Sequence, residues 1–289
     1  MDKKYRYIKC NLCGADNCTK IFSVDDTFLV KCKRCGFLFL NPIPTEKELR
    51  NYYDNLSGFE IEPLDRSPIE YDKSAERLQL IEKIIKKGKL LDVGSGGSNF
   101  LYIAKNKGWN TYSLDIRQEV LRLLKKQGIK TIDERKIRNG FFDVITLTQV
   151  LEHMAYPLRK LKFYRKKLRD GGIIVIEVPN IESLGAKFLR DKWYFIKNPD
   201  HISYFSRKTL SKFLEKAGFE IIKTEYLGAT FVTDFASKGQ IKKEHIFNLY
   251  KRFKLPINLT TAIIRKYGMS DTLRIVARKP CKAVFKQAK

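Results

Sequence analysis

Four cysteines, Cys10, Cys13, Cys32 and Cys35, form two C-x2-C pairs, each followed by a glycine, Gly14 and Gly36. Glycine lets the backbone turn tightly there, so that two thiolates face one ion, and four thiolates suit a closed tetrahedral Zn2+ site. Between the pairs, Ile21 to Val24 and Thr27 to Lys31 read as two short strands joined at Asp25-Asp26, a hairpin of the zinc-ribbon kind. A structural zinc would supply the stability that about 40 residues cannot obtain from burial alone. Cys18 and Cys281 lie off the pattern and read as lone thiols.

A second constellation begins at Lys89. The segment KLLDVGSGG followed by NFLYIAKNKG is a buried strand, a glycine turn, and a helix whose apolar positions Phe100, Leu101 and Ala104 recur with helical period. The next strand, TYSLDI, ends in Asp115, about 20 residues past the first glycine. In this context Gly94 and Gly96 let the backbone approach a ligand, the helix N-terminus favours negative groups, and Asp115 reaches ribose hydroxyls. These features alone leave open whether the ligand is a dinucleotide or another adenosine compound.

Asp92, two residues before the first glycine, narrows the choice. The pattern D-x-G-x-G-G resembles the first motif of class I S-adenosylmethionine-dependent methyltransferases, and the similarity continues through FDVITLTQVLEHM, LRDGGIIVIEVPN, GFEIIKTEYL and DTLRIVARKP, covering residues 76 to 280. The resemblance implies an α/β fold, a Rossmann-like seven-stranded, mostly parallel sheet with helices on both faces, here preceded by a small zinc-ribbon domain. It implies that Asp92, Gly94, Ser95 and Gly96 hold the amino-acid end and backbone of S-adenosylmethionine, and Asp115 its ribose. Asp133 would meet the adenine, and Gln149 and Val150 would line the methionine moiety. Ser98 stands where the family usually has a third glycine.

Methyl transfer needs alignment and, for many acceptors, removal of a proton. The chain has three histidines. His153, in LEHM just after the cofactor-lining strand, is placed to act as a general base, with Glu152 orienting it or binding the acceptor. His201 sits in KWYFIKNPDHISYFSRKTL, which resembles a segment in a subset of the superfamily. Trp193, Tyr194 and Tyr204 around it can form an apolar wall for a substrate. His245, in a lysine-rich stretch, reads as solvated.

The ribbon, the phrase FLFLNPIPTEKEL and the tryptophan-to-histidine loop look like methyltransferases of cell-surface polysaccharide and deoxysugar pathways. A sugar hydroxyl, or another small-molecule or lipid-linked acceptor, is therefore the expected substrate, with O-methylation. A ribosomal or transfer RNA methyltransferase with a zinc ribbon is the alternative. The strand-end motif Thr-Gln-Val-Leu-Glu-His lacks the Asn/Asp-Pro-Pro-aromatic turn typical of enzymes that methylate base amines. An inactive zinc-ribbon binding module is a second alternative.

The elements that must position these residues follow from punctuation and period. Residues 1–44 read as the ribbon, and 45–75 as a helix from about 46 to 54, capped by Thr45, and a Pro/Gly-punctuated linker or lid. A helix from Ala75 to Lys86 opens a domain running over 76–289, with a helical insertion at about 235–268. Of 289 residues, 57 are Lys or Arg and 32 Asp or Glu, a formal charge of +25. Residues 235–289 hold 14 basic and 2 acidic residues, and Leu158 to Arg169 seven basic and none acidic. The C-terminal region therefore reads as a basic face for an anionic membrane, or as plain lysine-rich usage. The apolar fraction of 43% excludes a disordered chain. The absence of a long apolar run or leader-like start predicts a cytoplasmic protein, membrane-peripheral at most.

Overall fold

The computed structural model describes residues 4–54, 68–97, 99–196, 200–228 and 264–281. Most of the expected insertion at 235–268 lies outside the described residues, as does His245.

Five short strands come first: β1 (Tyr5–Arg6), β2 (Cys18–Val24), β3 (Thr27–Cys32), β4 (Leu38–Leu40) and β5 (Ile43–Pro44). The β2–β3 hairpin turns at Asp25, whose φ of 47° is tolerated by a short polar side chain. Helix α1 (Glu46–Asp54) follows, and the Glu48 amide donates to the Thr45 hydroxyl, the expected cap. Helix α2 (Pro68–Ile84) begins earlier than the periodicity indicates. Its first residues, PIEYDKS, carry no apolar stripe, and proline at a first helical position needs no backbone donor.

The main sheet contains β6 (Lys89–Val93), β7 (Asn110–Leu114), β8 (Lys130–Thr131), β9 (Phe142–Thr148), β10 (Leu168–Pro179), β12 (Glu220–Leu227) and β13 (Thr272–Arg278), in the order β12-β13-β10-β9-β6-β7-β8. Only β13 runs against its neighbours. Both faces are apolar because successive strand residues point to opposite sides. Leu90, Val144 and Val175 pack under α2 and α3 (Asn99–Asn106), together with Val120 and Leu124 of α4 (Gln118–Lys126). Leu91, Ile145 and Ile176 pack on the other side under α5 (Pro157–Lys167) and α7 (Arg207–Lys216). This is the Rossmann-like arrangement anticipated, with helices on both faces.

The ribbon is fused to this second face. Strand β11 (Ser203–Tyr204), from the loop after β10 and the short helix α6 (Leu184–Leu189), pairs antiparallel with β4, so the ribbon sheet reads β11-β4-β3-β2. The Leu40 amide also donates to the Ile202 carbonyl at 2.9 Å. Phe37, fully buried, sits with ring centroids 4.9 Å from Phe213 of α7 and 5.7 Å from Phe205. Cys10, Leu12, Phe37 and Phe39 thus share one continuous core with Leu151, Leu210 and Ile275.

Candidate active site

The C-terminal end of β6 leads into a turn that only glycine fits. Gly94 has φ 62°, and a Cβ there would lie 2.6 Å from a Val150 methyl; Gly96 has φ 55°. Asp92 is buried and accepts a 2.5 Å hydrogen bond from the Thr146 hydroxyl. Ser95 meets Ser113 of β7 at 2.6 Å. Asp115 turns back on the loop: its carboxylate accepts from the Gly96 amide (2.9 Å) and the Arg117 amide (3.0 Å).

At the end of β9, Gln149 adopts a left-handed φ of 53° and donates its amide to the Glu177 carbonyl, which brings Val150 over Gly94. The Oε1 of Gln149 and the hydroxyl of Thr148 are buried without a hydrogen-bond partner. These orphaned groups border the glycine turn and suit a ligand carrying its own polar atoms, as S-adenosylmethionine does. Asp133, after β8, caps a short turn where it accepts from the Arg135 amide and pairs with its guanidinium at 2.8 Å. That pairing holds its carboxyl down at about 2.

Behind these strand ends Glu177 is gripped by two buried guanidiniums, Arg77 at 2.7 and 2.8 Å and Arg274 at 2.6 Å. Burial alone would raise its carboxyl, but the two cations hold it at about 2. The carboxylate is thereby fixed at the base of the site.

A 3-10 turn, Leu151–His153, follows Gln149 and Val150. The carbonyl of Glu152 accepts from the Ile202 amide at 2.9 Å, which ties this turn to the His201 loop. Glu152, His153 and His201 consequently meet: a ligand atom from each lies within 4.8 Å of the others. The imidazole centroids are 4.6 Å apart at 76°, and Phe195 stacks on His201 at 5.7 Å. Asp200 completes the group, its carboxylate 3.0 Å and its carbonyl 3.2 Å from His153 Nδ1. In the sequence Asp200 carries no signal beyond adjacency to His201.

Glu152 is wholly buried, and neither carboxylate oxygen takes a hydrogen bond among the described residues. Burial pushes its carboxyl up to about 7, despite the His153 charge beside it. Burial works the other way on His153, but the Asp200 hydrogen bond and the Glu152 charge raise it to about 8. His201 is pushed down to about 3, by burial first and by the cationic His153 second.

Of the expected substrate wall, Tyr204 is buried, and its hydroxyl has no hydrogen-bond partner among the described residues; Tyr194 is half exposed. Trp193 instead packs with Val24, Leu29 and Ile43, joining the loop to the ribbon. A cavity of about 160 Å³ opens between ribbon, α1 and loop, with Tyr5, Asp25, Glu48, Tyr52 and Asp200 on its walls. A shallower groove of about 520 Å³ runs along α5, where Arg159, Lys162 and Lys166 surround Tyr156 and Phe163, with Asn11 of the ribbon at its edge.

The four ribbon cysteines converge, with Sγ–Sγ distances of 3.5 Å for Cys10–Cys35 and Cys13–Cys32. Burial pushes Cys10 and Cys35 up, the latter to about 11. At Cys32 burial is outweighed by backbone amides of Cys35 and Arg34, which lower the thiol to about 7. Convergent sulfurs with amides aimed at them are the donor set of a tetrahedral zinc site.

A family model described as a methyltransferase domain matches residues 66–224, more than half of the chain. The chain belongs to this family, and it is an S-adenosylmethionine-dependent methyltransferase. An uncharacterized protein of Methanocaldococcus jannaschii is 27% identical over 172 residues, 55% of this chain and 82% of the relative. Among solved structures, a SAM-dependent methyltransferase from Archaeoglobus fulgidus aligns with a TM-score of 0.53 at 20% identity, over 73% of this chain and 94% of its own. The [4+2]-cyclase SpnF aligns with a TM-score of 0.51 at 21% identity, over 72% and 81%. At such identities the likeness is one of fold.

Proposed function

We propose that this enzyme O-methylates a hydroxyl of a small-molecule, nucleotide-sugar, polysaccharide or lipid-linked acceptor, and that Glu152, His153 and His201 receive the hydroxyl and its proton. The observation that carries this reading is the convergence of those three side chains just past Val150, which packs on the glycine turn, with Asp200 joining His153 to the wall of a neighbouring cavity. Asp92, Gly94, Ser95 and Gly96 would cradle S-adenosylmethionine, with Asp115 toward its ribose, Asp133 toward its adenine, and Gln149 and Val150 along its methionine. When bound, that cofactor supplies a methyl group activated by a positive sulfur. The protein's part is to hold the acceptor oxygen in line and to take up its proton. Cys10, Cys13, Cys32 and Cys35 would hold a structural Zn2+.

The cavity walls favour a polyhydroxylated acceptor over RNA. Asp25, Glu48 and Asp200 accept hydrogen bonds from hydroxyls and repel phosphodiesters, and Tyr5 and Tyr52 offer rings for a sugar face. The basic groove on α5 suits the phosphates of a nucleotide-linked or lipid-linked carrier, or of an anionic membrane surface.

Transfer of labelled methyl from the cofactor to nucleotide sugars, lipid-linked sugars and tRNA or rRNA tests the proposal. Labelled sugar is expected, with His201→Gln and Glu152→Gln lowering kcat by about 10²- to 10⁴-fold and leaving cofactor affinity in place. Labelled RNA would establish the nucleic-acid reading instead. Failure of calorimetry to detect cofactor would point to a binding module.

A further inference from the structure

The cluster that receives the acceptor is also built like a metal centre. Glu152 is fully buried and its carboxylate oxygens lack hydrogen-bond donors among the described residues, so at this depth it calls for a positive partner. His153 turns Nδ1 to the Asp200 carboxylate at 3.0 Å, the carboxylate–histidine arrangement that supports a metal-ligating Nε2. Nδ1 of His201 is buried without a hydrogen-bond partner, and Phe195 fixes the ring from one face. All three residues offer a ligand atom within one 4.8 Å span, as a group distinct from the cysteine cluster.

We propose that Glu152, His153 and His201 bind one divalent transition cation, with Asp200 as a positioning residue behind His153. Two imidazoles and one carboxylate suit Zn2+, Mn2+ or Fe2+ better than Mg2+ or Ca2+. Three protein ligands leave positions open, as in catalytic rather than structural sites. The inference rests on the methyl-transfer reading for its purpose. With a cation bound, the three side chains would serve as its ligands in place of a general base. An acceptor hydroxyl held on the cation would be acidified and its proton would pass to solvent water. Its oxygen would use the freed electron pair to attack the methyl carbon while the carbon–sulfur bond breaks and that pair leaves on the neutral thioether of S-adenosylhomocysteine.

Metal content per chain, measured on full-length protein equilibrated with Zn2+ and freed of excess, provides the test. Wild type is expected to retain about two equivalents, one on the thiolates and one on the cluster. Glu152→Gln and His201→Gln should each fall to about one, with cofactor affinity by calorimetry within about twofold of wild type as the sign of an intact domain. Asp200→Asn should keep the second equivalent but bind it about 10- to 100-fold more weakly. In the zinc-loaded ribbon form, Mn2+ should lose its free electron-paramagnetic signal on titration, since thiolates select against it. Retention of a single equivalent by wild type, with the Mn2+ signal unchanged, overturns the inference and leaves the cluster as a metal-free base. A second equivalent without methyl transfer to any hydroxyl upholds the metal site and overturns the acceptor reading.

Discussion

At Gly94, the conformation of the chain is set by one missing methyl group. Alanine would place a Cβ 2.6 Å from Val150 at a φ of 62°, so the side chain that lines the strand end must move. Gly94→Ala should lower stability by about 1–3 kcal/mol and weaken cofactor binding, read by thermal unfolding and calorimetry; unchanged affinity would show that the turn does not contact the ligand. Glu177 makes the opposite kind of demand. Its carboxyl lies at about 2, below its value in an unfolded chain, so its contribution is complete above the unfolded pKa and is lost as pH falls from about 4 toward 2. Urea unfolding between pH 5 and pH 2.5 should show that loss. Glu177→Gln should flatten the slope and cost about 3–5 kcal/mol at neutral pH, because Arg77 and Arg274 are left buried together.

Among the elements, β11 bears most directly on function. It belongs in sequence to the His201 loop and in hydrogen bonding to the ribbon. Cys32→Ser, which removes one thiolate from the four-cysteine cluster, should therefore raise the acceptor KM several-fold while leaving the cofactor dissociation constant nearly unchanged. Equal loss of both would mean that the ribbon serves general stability alone. Phe37→Ala tests the packing link, with an expected cost of about 3–5 kcal/mol for a buried phenylalanine. The local elements were legible in the sequence. The cysteine spacing, the glycine turn with Asp92 and Asp115, and the alternating apolar strands each depend on near neighbours. The meeting of His153 with His201, the part of Asp200 and the use of Trp193 as a ribbon anchor were not, because each depends on a loop folding across the sheet ends. The early start of α2 was hidden by the lack of an apolar stripe in its first turns.

Across the whole molecule, charge is distributed unevenly. The carboxylate-bearing cavity lies between ribbon and α1, whereas Arg159, Lys162 and Lys166 line a groove on α5. No helix among the described residues is long and apolar enough to cross a membrane. Sedimentation with anionic vesicles should fall as salt rises, because exposed charges are screened beyond about 8 Å at physiological ionic strength. Replacing the three α5 cations by glutamine should reduce it by at least several-fold, and salt-insensitive pelleting would exclude this face as the contact. The shared sheet has a further consequence, for the order of assembly. While the chain is being synthesised, β2, β3 and β4 emerge early and close their hairpins locally, but the second partner of β4 is not made until Ser203 and Tyr204 appear. For that interval the nascent ribbon carries an open strand edge and uncovered Phe37 and Phe39, the features that invite pairing with other chains. Pulse-labelled hydrogen exchange during refolding should find the β2–β3 amides protected first and the β4–β11 pair last, marking the His201 loop as the closing step of the fold.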